Sequence, residues 1–86
     1  MKLKKEFITY DAGSESLLVP AGGAGFSGLV KGNKTLGAIL ALLSEDTTEE
    51  AVITAMRQRF DAPEDIVVRD VKKVVFELRK IGALDD

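Results

Sequence analysis

Residues 63–82, PEDIVVRDVKKVVFELRKIG, carry both ends of a long helix in their own letters. Pro63 suits a first helical turn, where its missing N–H would bond nothing, and Glu64 and Asp65 favour the positive end of the helix dipole. Arg79 and Lys80 suit the negative end, and Gly82 can take the left-handed conformation that closes a helix. Between these signals Val67, Val71, Val74, Leu78 and Ile81 recur at spacings of three and four and predict the face that packs on a core. A second stripe runs beside it: Val68, Lys72, Val75, Phe76 and Arg79. At about 100° per residue Phe76 points almost opposite the core face, where polar residues are the rule. The stripe has two readings. It is a surface that meets a partner, or an ordinary surface covered by lysine and arginine stems.

Before this helix the chain is punctuated by turn chemistry. Residues 2–10, KLKKEFITY, mix charge with Phe7, Ile8 and Tyr10 and predict a strand, and residues 11–14, DAGS, predict a turn with Gly13 at positive φ. Residues 16–19 predict a second strand, with Leu17 and Val19 on one face, Leu18 on the other, and Pro20 ending it. Gly22, Gly23, Ala24 and Gly25 form a turn, and residues 26–30 predict a third short strand. The three strands read as an antiparallel meander with an open edge. Asn33 then caps a helix over residues 34–43, with Leu36, Ile39, Leu40 and Leu43 facing inward. Thr47 stands three residues before Glu50, a capping-box pattern for a second helix that buries Val52 or Ile53, Met56 and Phe60. The order β-β-β-α-α-α defines an α+β domain over residues 1–86, winged-helix-turn-helix-like, with a three-stranded antiparallel sheet followed by three helices.

Several functions are excluded by what the chain lacks. With no cysteine and no histidine there is no thiolate or Ser/His nucleophile, and the commonest metal ligands are missing. The carboxylates sit at caps, turns and solvated faces rather than paired in an apolar pocket, so no catalytic residue, metal or cofactor is expected. Residues 23–28 match G-x-G-x-x-G, but a dinucleotide turn must open a helix at once, and this stretch reads as extended. No apolar run approaches a membrane span and no signal-peptide pattern is present, which predicts a cytoplasmic location. The net charge is −2, with acid concentrated over residues 44–65 and base over residues 69–80. That basic segment predicts an acidic partner, while the acidic segment opposes a large nucleic-acid footprint. A DNA recognition helix would in addition turn Glu64, Asp65 and Asp70 toward phosphates.

The Asn33–Lys34–Thr35 cap and the helix through Leu43, the segment TTEEAV at 47–52, the Phe60–Asp61 stop, and the ending Asp70–Val71 … Leu78 … Gly82–Ala83–Leu84 together resemble the PqqD-like family over residues 17–84. The chain departs from many members in having no tryptophan in the first helix and in its glycine-rich segment at 22–28. The resemblance implies a RiPP recognition element. Such a domain is not an enzyme: it holds the leader of a ribosomally synthesised precursor peptide and presents it to a modifying enzyme, frequently a radical S-adenosylmethionine enzyme. It also implies strand addition of the leader between the third strand and the third helix. By position the receiving edge is Phe26, Ser27, Gly28, Leu29 and Val30, and the helical wall is Val68, Lys72, Val75, Phe76 and Arg79. In that assignment Lys72 and Arg79 pair with leader carboxylates, and Gly28 leaves room for a close backbone. Winged-helix DNA binding, or interaction with a protein outside peptide modification, remains the alternative.

Overall fold

Asn33 sits in an extended conformation, and its side chain accepts hydrogen bonds from the Thr35 and Leu36 N–H groups, so the first helix begins where its cap predicts. The computed structural model describes residues 1–13, 15–20 and 30–85. Helix α1 (Lys34–Leu42) is the hub, with Leu36, Ala38, Ile39 and Leu40 buried and Leu43 at its end fully so. On one side it meets the sheet through Leu18, and on the other it meets α2 (Glu49–Arg59) and α3 (Glu64–Lys80), which bring Val52, Met56, Val67, Val71 and Leu78.

The sheet is a meander. Strand β2 (Phe7–Ala12) pairs antiparallel with β3 (Glu15–Pro20), and β3 with β4 (Val30–Gly32), giving the order β2-β3-β4. Strand alternation buries Ser16 and Leu18 against α1 and leaves Leu17 and Val19 half-buried on the other face, where they pair with Tyr10 and Ile8. Gly13 has φ 76°, as the turn requires, while Ser14 lies outside the described residues. The third strand runs two residues past its expected end, with Leu17 opposite Lys31 and Ser16 opposite Gly32. The remainder of its expected span, 26–29, and the glycine motif at 23–28 lie outside the described residues.

The first predicted strand divides in two. Lys2–Leu3 forms β1, which pairs with β5 (Leu84–Asp85) in a two-stranded ribbon that the sequence did not announce. Leu3 donates to the Leu43 carbonyl at 2.9 Å and Lys4 to the Ala83 carbonyl at 2.9 Å, so both ends of the chain are tied to the end of α1. The Met1 ammonium bonds the Asp46 carboxylate and the Thr47 carbonyl, each at 2.8 Å, and holds the Asp46 carboxyl below its ordinary value. Thr47 also donates to the Met1 carbonyl, and it is thereby committed to the N-terminus rather than to a capping box. The cap of α2 is Thr48, which accepts from Ala51 N–H at 3.1 Å; an alanine there supplies no reciprocal carboxylate.

Helix α3 ends as predicted. Gly82 has φ 75°, its N–H reaches the Arg79 carbonyl, and Ala83 N–H reaches the Leu78 carbonyl at 2.8 Å, the paired bonds of a Schellman closure. At its start Pro63 stands just before the helix and caps it with its carbonyl, which accepts from Ile66 and Val67. The core face is rotated from the one expected. Val75 is 1% exposed and joins Val67, Val71 and Leu78 inside, whereas Val74 and Ile81 are half-buried at the margin. The cause is angular: Val75 lies only about 40° around the helix from Val71, on the same side as Val68, and so falls inside the buried arc.

Candidate functional site

Among the described residues the three-stranded meander has two free edges, and one of them, β4, borders a groove shared with α3. The groove encloses about 310 Å³. Val30, Lys31 and Gly32 of β4 form one side, and Thr35 and Leu36 of α1 lie at its base. The α3 side consists of Asp70, Lys73, Val74, Glu77 and Leu78. The unpaired edge of β4 supplies backbone N–H and C=O groups, Leu36, Val74 and Leu78 supply apolar contact, and α3 adds carboxylates on either side of one ammonium. An extended polypeptide meets all three requirements: a ladder for its main chain, apolar pockets for alternate side chains, and charges that fix its register.

The close approach of β4 to α1 is set by Gly32. A Cβ there would stand 2.5 Å from Leu36 Cδ2 and 2.9 Å from Leu36 Cβ. Only a residue without a side chain lets the strand turn into the helix while Leu36 keeps its place in the groove.

The helical wall expected from the sequence is not the one beside β4. None of Val68, Lys72, Val75, Phe76 and Arg79 lines the groove. Val75 is core. Phe76 is 64% exposed and lies about 160° around the helix from Val74. Arg79 is on the side of the N-terminus, with Nη2 3.8 Å from Met1 Sδ. Lys72 is exposed and Val68 half-buried. Of the expected edge, Val30 does line the groove, while Phe26, Ser27, Gly28 and Leu29 lie outside the described residues. On α3 the groove is lined instead by Asp70, Lys73 and Glu77, which the sequence reading did not single out, and by Val74, which it read as core. Their sequence signal is a run of charges flanking the margin of the apolar stripe, and choosing between two such margins requires knowing on which side of α3 the sheet lies.

Among the described residues no three of His, Cys, Asp and Glu come close enough to hold a metal ion, and no helix is long and apolar enough to cross a membrane.

Comparison with known proteins bears on what such a groove holds. The family model described as coenzyme PQQ synthesis protein D (PqqD) matches residues 15–84, from the start of β3 into β5. No curated protein matches the chain. Among solved structures, TbiB1 in complex with the TbiA(beta) leader peptide is similar with a TM-score of 0.75, over 99% of this chain and 100% of that one. At 18% identity that likeness is one of fold.

Proposed function

The chain belongs to the PqqD family, whose model matches residues 15–84, and from that premise we propose that it is a non-catalytic domain over residues 1–86 that binds the leader of a ribosomally synthesised precursor peptide. It presents that peptide to a modifying enzyme in the cytoplasm, where the precursor is made. The open β4 edge beside α3 carries this reading, because it offers a ladder and a side-chain wall to the same extended segment. TbiB1, which shares the fold, is described with a leader peptide bound.

The leader adds as a strand along β4. Its apolar side chains rest on Leu36 and Val74, a leader carboxylate pairs with Lys73, and leader cations pair with Asp70 and Glu77. These roles replace those expected for Lys72 and Arg79, which stand on the other flank. DNA binding is the poorer reading: the first turn of α3 carries Glu64 and Asp65, and Glu64 is held 3.6 Å from Arg57. Titration of the amide spectrum with the leader segment of a cognate precursor peptide tests the reading. Shifts at residues 30–32 and 70–78 are expected; unmoved signals there at saturating leader would refute it.

A further inference from the structure

The sheet has a second free edge that leader binding at β4 leaves unused. Strand β2 is the outer strand on the far side and spans six residues, about 20 Å of backbone. Residues 8–12 make no backbone hydrogen bond to a described residue outside their ladder with β3, so alternate N–H and C=O groups face outward. Beside this edge runs an open groove of about 470 Å³. Thr9 and Asp11 line its sheet side, and Gly37 and Ala41 its α1 side, where small side chains leave room for those of an incoming strand. Lys34 from the start of α1 and Arg59 from the end of α2 complete it. Both cations are exposed, and neither has an ion-pair partner among the described residues, whereas Lys31, Arg57 and Arg69 each have a carboxylate within 4.0 Å.

We propose that this edge is a second strand-addition site, which receives an acidic extended segment of a partner protein with its carboxylates turned to Lys34 and Arg59. Asp11 sets the register. A residue paired opposite Asp11 shares its helix-side face, and like charges directly opposite repel. That one position is therefore neutral, while the other helix-side positions, toward Lys34 and Arg59, are acidic. A second copy of the chain is the poorer occupant. Pairing β2 with itself about a two-fold axis keeps both helical layers on one face, which brings two sets of Lys34 and Arg59 together. The copy's Phe7 is also already buried in its own core and cannot fill the groove.

Amide spectra of the isotopically labelled protein, titrated with a capped octapeptide that alternates glutamate and valine but carries alanine for the terminal glutamate that falls opposite Asp11, and with its lysine-for-glutamate twin, test the proposal. The glutamate peptide is expected to shift Thr9, Tyr10, Asp11, Gly37, Ala41 and Arg59, and to bind at least tenfold more tightly than the twin. In the K34E/R59E variant that preference reverses. Equal binding of the two peptides, shifts confined to residues 30–32 and 70–78, or a concentration-dependent dimer whose own contacts occupy residues 8–11 would each overturn it. Should the double variant fail to fold, the two-peptide comparison on the unaltered protein still decides. Because β4 and β2 report through different amides, failure here is distinguishable from failure of leader binding.

Discussion

Gly37 of α1 stands so close to Ser16 of β3 that a Cβ at position 37 would collide with the Ser16 hydroxyl. This contact fixes how near the hub helix lies to the sheet, and therefore how α1 meets both edge grooves. Two effects oppose each other in Gly37→Ala. Alanine is favoured over glycine in a helix interior by about 1 kcal/mol, but overpacking a tight contact costs about 1–3 kcal/mol. The collision involves a half-buried helix position and a buried strand residue, neither free to retreat, so the second effect wins. Urea unfolding should show a net loss of about 1–2 kcal/mol. Adding Ser16→Ala should recover only part of it, because the Ser16 Cβ itself lies 3.1 Å from the new atom. A Gly37→Ala protein at least as stable as the parent would contradict this account.

The two flanks of α3 should separate in binding. Val74 lines the β4 groove between Asp70 and Glu77, and a carboxylate there would replace apolar contact with like charge. Val74→Asp should weaken leader affinity tenfold or more, each tenfold being about 1.4 kcal/mol. Phe76→Ala, 64% exposed on the far side, should leave affinity unchanged and stability within about 0.5 kcal/mol. Titration calorimetry, with circular dichroism to check folding, distinguishes them. If Phe76→Ala is the more damaging to affinity, the leader lies on the opposite flank.

Val75 gives the complementary result in stability. It is 1% exposed amid Val71 and Leu78, so Val75→Ala removes two buried carbons and leaves a cavity. The expected loss is about 2–3 kcal/mol, read as a lower denaturation midpoint with an unchanged slope. A loss comparable to that of Phe76→Ala would mean that the helix is rotated from the orientation described.

Much of this fold was legible in the letters, and the failures share a cause. Asn33, Gly13 and Gly82 act through their own backbones or immediate neighbours, so local sequence reveals them. Leu36, Ile39, Leu40 and Leu43 follow from periodicity. The β1–β5 ribbon joins residues some eighty positions apart, and Lys2–Leu3 carry no signal of that pairing. The groove wall was hidden for the same reason. Val74 and Val75 are adjacent valines at the two margins of one apolar stripe, and only the position of the sheet decides that Val74 borders the groove and Val75 is core.

The Asp46 contact predicts a pH dependence. Its carboxyl is held below the ordinary value first by the hydrogen bond from the Met1 ammonium, then by the charge of that ammonium, with Lys2 adding a smaller pull. A carboxylate with a depressed folded pKa contributes stability that is present above its unfolded value, about 3.9, and is lost as pH falls through the folded value. Asp46→Asn should therefore lower Tm at neutral pH, and the gap to the parent should close below about pH 4. The carboxylate is exposed, so added salt should shrink the neutral-pH gap as well. A gap independent of pH would assign the loss to packing rather than to charge.

Gly32 joins stability to binding. Alanine at this position would place its Cβ 2.9 Å from the Leu36 Cβ, which is fixed by the α1 backbone and cannot rotate away. Rotation of Leu36 can relieve the 2.5 Å contact with Cδ2 but not the contact with Cβ, so β4 must move from α1 or the first turn of the helix must yield. Either response displaces Leu36, which lines the groove, and alters the strand edge proposed to receive the leader. Gly32→Ala should cost about 1–3 kcal/mol in stability and also weaken leader affinity. Gly13→Ala is the control: with φ 76° and nothing within 4 Å of its Cβ, it should cost stability through backbone strain alone, about 1–2 kcal/mol. Its leader affinity should stay at the parent value. Equal affinity for the Gly32→Ala and Gly13→Ala proteins, both folded, would show that the β4–Leu36 contact does not shape the binding edge.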